Sequence, residues 1–452
     1  MKPLEAFGTE TELRRDLGRA TAIAVVIGTV VGSGIFIAPS LVLGRVGSPT
    51  MALVVWLVSG LCALFGILCY AELSAMMPRA GGPFVYLRMA FPPWVAFLFG
   101  WTSFFVLQPS ALALISDVLV THAAHLVGVT EGFAPWTRRA LQAGVIIFLA
   151  AANYRGVRVG GFIQLLFTVL KVGGLAVIIF AGLALGDASQ NATLPRATGL
   201  EGSTALGAVV AFGAAMIAAM QAHYGFENAT FVAEEIRDPR RNLPIALVAG
   251  MVSVIILYML VNLALFSALP YHELVASQSP TALAMERTLG VGGGTLLAAI
   301  VVFSTFGSLN GAMLASPRLF YAMGKEGLFF RFTTRIHPKF KTPHLSIVAL
   351  TVVALAYVAG LGTWERVTEA VSVAFAAFLS LAVIALFVLR RKYPDAERPY
   401  RVTGYPFTPL LYLAIIVVYT VTIVASSYQT TLIGIAISAS GLLFYPLFRR
   451  TS

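Results

Sequence analysis

Charge is what this chain has least of. Of 452 residues, 31 are Lys or Arg and 20 are Asp or Glu, 11% together, where a soluble domain carries roughly 25%. No polar block between residues 17 and 448 is large enough to fold by itself, and there is no low-complexity stretch or long linker. An ordinary soluble protein is excluded. Cysteine is scarcer still: Cys62 and Cys69 share one apolar segment. They are placed to form no structural disulfide and report no redox compartment. The ionisable groups within apolar segments offer no nucleophile with its base and no metal-ligand cluster, which argues against a membrane-embedded enzyme. No repeated charged ring or filter-like loop points to a channel. The first apolar run lacks a cleavage site of signal-peptide type and is expected to be retained. No cofactor is implied.

What is present is hydrophobicity: 58% of residues are apolar and the mean hydropathy is +0.85. Windows of about 20 apolar residues predict about twelve spans, near 17–44, 50–77, 93–122, 137–154, 159–186, 203–233, 243–268, 293–323, 344–361, 366–390, 408–427 and 430–448. The expectation is an all-α integral membrane protein with one transmembrane domain over 1–452. A net charge of +11 would suit nucleic acid, but the cations gather in short loops. Arg79, Arg88, Arg155, Arg158, Arg237, Arg240, Arg241, the loops Lys325 to Lys341 and Arg390 to Arg401, and Arg449 and Arg450 fall on one side. The other side keeps a smaller set: Arg45, Arg138, Arg139, Arg196, Arg287 and Arg366. By the positive-inside rule both termini are cytoplasmic, in the cell membrane, and the partner is the lipid bilayer rather than nucleic acid. The outer stretches near 187–202 and 269–292 are expected to carry short surface helices.

Two spans are interrupted. Gly28 to Pro39 packs Gly32, Ser33 and Gly34 into an apolar run, where a break is tolerated only inside protein or beside a polar cavity. The N–H groups of a half-helix N-terminus there suit a substrate carboxylate; close helix packing through small residues is the alternative. Span six reads Gln221, Ala222, His223, Tyr224, Gly225, Phe226, Glu227 and Asn228, placing polar groups at membrane depth. Carbonyls near Gln221, Ala222 and Tyr224 suit an ammonium group, so the two breaks fit a zwitterion. They begin corresponding halves, about 17–186 and 203–390, the pointer to an inverted-repeat transporter; 408–448 would be additional. His223 is either a pH-sensitive gate or a locally hydrogen-bonded histidine. Lys171, alone in span five, is a fixed positive charge joining span-one carbonyls to span-eight hydroxyls, a proton-releasing group, or a residue in the headgroups. Gln108 with Pro109 kinks span three, and Ser304, Thr305, Ser308 and Asn310 share one stretch of span eight, as cavity lining or as helix glue. Glu72 is expected to pair at the cytoplasmic face.

At these residues the chain resembles the amino acid–polyamine–organocation transporter superfamily, and within it the L-type amino acid transporter branch. Gly32 to Phe36, Tyr70 to Leu73 with Pro78 to Gly82, and Glu234 to Pro244 are similar to its signatures in spans one, two and six to seven. Gln108 to Ser110, Phe167 to Lys171 and Ser304 to Gly311 point to the branch. The resemblance implies five plus five inverted helices, the LeuT-like fold with helices one and six broken, and two extra spans. It implies substrate at Val30, Gly32 to Gly34, Gln108 and Gln221 to Glu227, with Lys171 standing in for a sodium ion beside Ser304, Thr305 and Ser308. Sodium-independent exchange of neutral L-amino acids follows; proton-coupled transport of cationic amino acids or polyamines, with Glu227 as countercharge, is the alternative. The chain departs from the family at Gln221, usually aromatic, at His223, usually tyrosine, and at Glu227, often asparagine or aspartate. The segment His122 to Trp136 has no cysteine, so no covalent heavy-chain partner is expected.

Overall fold

A computed structural model describes residues 6–129, 132–187, 189, 205–277, 279–360, 364–426 and 428–449. Among them all regular structure is helical except one isolated parallel bridge between Leu17 and Ile236. The helices are α1 (Arg19–Val30), α2 (Gly34–Val46), α3 (Pro49–Met76), α4 (Pro83–Ala90), α5 (Pro93–Thr102), α6 (Gln108–Leu126), α7 (Pro135–Tyr154), α8 (Val157–Leu185) and α9 (Ala205–Ala222). The second half continues with α10 (Asn228–Phe231), α11 (Pro239–Ala268), α12 (Tyr271–Ala276), α13 (Pro280–Leu289), α14 (Gly293–Lys325), α15 (His344–Val358), α16 (Trp364–Lys392), α17 (Phe407–Ser426) and α18 (Tyr428–Arg449). A helix stands at each of the twelve apolar stretches. Among the described residues, however, eight pass as spans by length and composition, and the bent pair α1–α2 makes a ninth. The described part of α9 and all of α15 are too short, and α7 carries Arg138 and Arg139 near its start. The short helices α12 and α13 fall within 269–292; most of 187–202 lies outside the described residues.

Helix ends follow local chemistry. Gly47 closes α2 with φ +67°, and the Ser48 hydroxyl accepts from the Met51 N–H at the start of α3, with Pro49 in its first turn. Pro109 has no N–H to give the Phe105 carbonyl one turn back, and the chain loosens into a π-turn over Ser103–Leu107 between α5 and α6. The Tyr357 hydroxyl of α15 donates to that freed carbonyl at 3.0 Å.

Burial turns polar residues of the long helices inward, beside an apolar core, and leaves large apolar side chains facing outward. On α8, Gln164, Thr168 and Lys171 share a buried stripe with Leu175, Ile178 and Gly182, while Phe162, Val169 and Phe180 face outward. That is the pattern of a helix whose solvent is lipid. The stripe packs on α1, which also touches α11 and α14; α2 lies against α9, and α3 against α11. The two broken segments are thereby brought together at the centre. On the face that carries most cations, Glu72 is fully buried and takes the Arg390 guanidinium at 2.9 and 2.5 Å and the Val402 N–H at 2.7 Å.

Candidate substrate site between two broken helices

Val31, Gly32 and Ser33 belong to neither α1 nor α2, and the two helices meet at a bend of 47°. A break in hydrocarbon leaves carbonyls that only protein can satisfy, and those of Gly28, Val30 and Val31 have side-chain donors here. The Lys171 ammonium donates to the Gly28 carbonyl at 2.7 Å, to the Val31 carbonyl, and to the Ser308 hydroxyl at 2.9 Å. The Ser308 hydroxyl lies 3.0 Å from the Gly28 carbonyl and 3.1 Å from that of Val31. Three N–H donors therefore meet three acceptors, the full capacity of an ammonium group. Lys171 is 0% exposed, which excludes a position among headgroups.

The second break lies between α9 and α10. Gly225 has φ +110°, and a Cβ there would stand 2.8 Å from the Thr29 carbonyl, so the approach of the two breaks requires glycine. The Thr29 hydroxyl donates to the Gly225 carbonyl at 2.9 Å. The Tyr258 hydroxyl of α11 lies 3.2 Å from the Val30 carbonyl and 3.0 Å from that of Ala222, joining both breaks through one group. Behind α1, Gln164 and Thr168 donate to the Ala24 carbonyl at 3.3 and 3.0 Å, and Asn310 donates to Gln164 at 2.9 Å.

Of the residues singled out in the sequence, Val30, Gly32, Ser33, Gly34, Ala222, Gly225, Lys171 and Ser308 come together. Among the described residues the N–H groups of Gly32 and Ser33 donate to no backbone carbonyl, and with Gly34 in the first turn of α2 they form an open helix N-terminus suited to an anion. Gly32 borders open space, and a Cβ on Gly34 would lie 3.4 Å from that of Ala222. Gln221 is exposed, Tyr224 is half-buried, and Phe226 packs edge-on against Tyr70 at 5.3 Å. Glu227 is buried and accepts from the Gly225 N–H at 3.2 Å.

For the residues whose reading was left between two alternatives, the contacts are local. His223, with its Nδ1 2.8 Å from the Ala219 carbonyl, is packed between Trp56 and Tyr258 and is 1% exposed, the geometry of a locally hydrogen-bonded histidine. Thr305 donates to Val301 of its own helix at 2.7 Å, and Ser304 finds no side-chain partner; neither reaches Lys171. Gln108 accepts from Ser316 at 2.6 Å, tying α6 to α14. Tyr258 and Thr29 were missed: a tyrosine or threonine in an apolar run carries no signal until its neighbour across the interface is known.

Comparison with known proteins gives the family. The sequence model described as "Amino acid permease" matches residues 17–444. The mouse (Mus musculus) "b(0,+)-type amino acid transporter 1" is 31% identical over 442 residues, 97% of this chain and 88% of that protein. "Serine/threonine exchanger SteT" of Bacillus subtilis (strain 168) is 30% identical over 405 residues, 89% of each. "Large neutral amino acids transporter small subunit 2" of Mus musculus is 31% identical over 444 residues, 97% of this chain and 82% of that protein. These relatives are transporters by name. With a family match over nearly the whole chain and a buried lysine between two broken helices of an all-helical membrane protein, the chain belongs to the amino acid permease family.

Proposed function

We propose that this protein is a sodium-independent exchanger of amino acids, neutral ones foremost, which works by alternating access in the cell membrane with both termini cytoplasmic. It is organised as repeats of about 17–186 and 203–390 with additional helices over 408–448. The observation that carries the reading is Lys171: a positive charge supplied by the protein occupies the point where the Gly28 and Val31 carbonyls converge. A mobile cation is not required there. The open N–H groups beside Gly32 receive the substrate carboxylate, and carbonyls at the second break face its amine. The polar groups at membrane depth are spent on holding backbone, which favours transport over catalysis or a pore. Cys62 and Cys69 are both buried, so no disulfide-linked partner is proposed.

The test is exchange in liposomes. Uptake of a radiolabelled neutral amino acid should require amino acid inside the vesicle and stay unchanged when sodium is replaced by potassium; dependence on sodium overturns the proposal. Gly34→Leu drives a side chain into the Ala222 contact, a misfit of about 1–3 kcal/mol, and is expected to lower exchange at least about tenfold while the protein still reaches the membrane.

A second reading rests on Glu227, a buried carboxylate two residues from the Gly225 break. If it serves as countercharge for cationic amino acids or polyamines, Glu227→Gln will abolish their uptake and spare neutral substrates. Equal effects on both classes remove that reading.

A further inference from the structure

The outer surface between α7 and α15 holds a groove of about 550 Å³, apart from the broken helices. Its walls are apolar, with Ile147 and Ala151 on one side and Val348 and Val352 on the other. At one end stand Arg155 and Phe340. From Ile147 to Arg155 the wall runs about 12 Å along α7, the scale of an acyl chain lying beside a helix.

We propose that this groove is a binding site for an anionic phospholipid, one acyl chain between α7 and α15 and the headgroup phosphate at Arg155. Charge complementarity carries the assignment. Arg155 is exposed, and among the described residues its guanidinium has no hydrogen-bond or ion-pair partner. Lys339 and Lys341 flank Phe340, and both are exposed. No Asp or Glu occurs from Gly132 to Gly186 or from Gly327 to Gly360, and none is among the residues lining the groove. In the orientation proposed above it opens to the cytoplasmic leaflet, where anionic lipids gather around such cations.

The mouth is also built rather than loose. The Thr342 hydroxyl donates to the Tyr154 carbonyl at 2.9 Å, joining the segment before α15 to the end of α7. The Tyr154 ring is flanked by His337 at 5.4 Å and His344 at 5.6 Å, and His337 lies 4.6 Å from Phe340. This aromatic floor holds the lysine-bearing segment against Arg155 before any lipid arrives, which lowers the cost of binding. Lys171 and the broken helices contribute nothing to the site, so it stands independently of the transport reading.

The experiment uses the full chain in detergent, with dioleoyl phosphatidylglycerol, dioleoyl phosphatidylcholine or inorganic phosphate added and occupancy read by native mass spectrometry. Phosphatidylglycerol should bind at least about tenfold more tightly than phosphatidylcholine, and each cation removed in Arg155→Gln and Lys341→Gln should weaken it about fivefold. Ala151→Trp and Val352→Trp, at exposed positions that leave the core untouched, should each block the groove and reduce retention of both lipids. Equal binding of the two lipids, an undiminished phosphatidylglycerol preference in Arg155→Gln/Lys341→Gln, or full retention in both tryptophan variants overturns the proposal. Complete competition by millimolar inorganic phosphate overturns it too, since the acyl chain would then add nothing.

Discussion

Lys171→Ala is expected to reduce amino-acid exchange at least about a hundredfold. The substitution removes the ammonium donor shared by the Gly28 and Val31 carbonyls and leaves the Ser308 hydroxyl, with one proton, able to serve only one of them. A hydrogen bond from a charged group contributes about 1.5–3 kcal/mol, and a buried acceptor left unpaired costs about 1–3 kcal/mol. Two charged bonds lost at the hinge between α1 and α2, about 3 kcal/mol at the least, exceed the 2.7 kcal/mol that corresponds to a hundredfold change. Lys171→Met separates charge from packing, because it retains much of the stem and fills the same space without a donor. Exchange should fall in both variants, and the folded fraction should be higher in Lys171→Met. Wild-type exchange by Lys171→Met would show that volume matters there and charge does not.

The part of the fold that sequence exposes is the part that lipid makes costly. Gly32, Ser33 and Gly34 stand out because a spanning helix has no water to repair its backbone, and Lys171 stands out because an ammonium group at that depth must have partners. The structure supplies those partners from Gly28, Val31 and Ser308. Depth alone does not say which way a polar side chain turns. By position His223, Thr305 and Gln108 suit either a cavity or helix contact, and each spends its hydrogen bond on helix structure: a carbonyl four residues earlier for His223 and Thr305, and Ser316 for Gln108. Pro109 marks the kink in span three, while the Tyr357 hydroxyl that repairs it sits on a helix remote in sequence. The same distinction explains Tyr258, whose importance lies wholly in the helices on either side of it.

The two breaks are joined again below the site, on the side that carries most cations. The Leu17 N–H donates to the Glu235 carbonyl at 3.0 Å, and the Arg237 N–H donates to the Leu17 carbonyl at 2.9 Å, so the segment entering α1 is paired with the segment leaving α10. Glu235 also holds the Arg318 guanidinium of α14 through two bonds of 2.7 and 3.0 Å, with both side chains fully buried. One glutamate thus fixes the ends of both broken spans to the helix that supplies Ser308.

Glu235→Ala should therefore destabilise the protein by about 3–5 kcal/mol, the cost of leaving a buried guanidinium without its counterion. Arg318→Ala should cost a similar amount for the mirror-image reason. The informative variant is the pair Glu235→Leu with Arg318→Met, which removes both charges and keeps apolar volume: no charge then has to be desolvated, and stability should return close to that of the wild type. Denaturation of the purified protein in one detergent, followed by tryptophan fluorescence, compares the three directly. Exchange in liposomes gives the second half of the argument. If the pair only stabilises the fold, the doubly substituted protein transports normally; if its bidentate geometry sets how the two broken helices meet α14, stability recovers and transport does not. The position of Glu235 between the Leu17 bridge and Arg318 favours the second outcome. Single variants as stable as the wild type would contradict the burial of the pair.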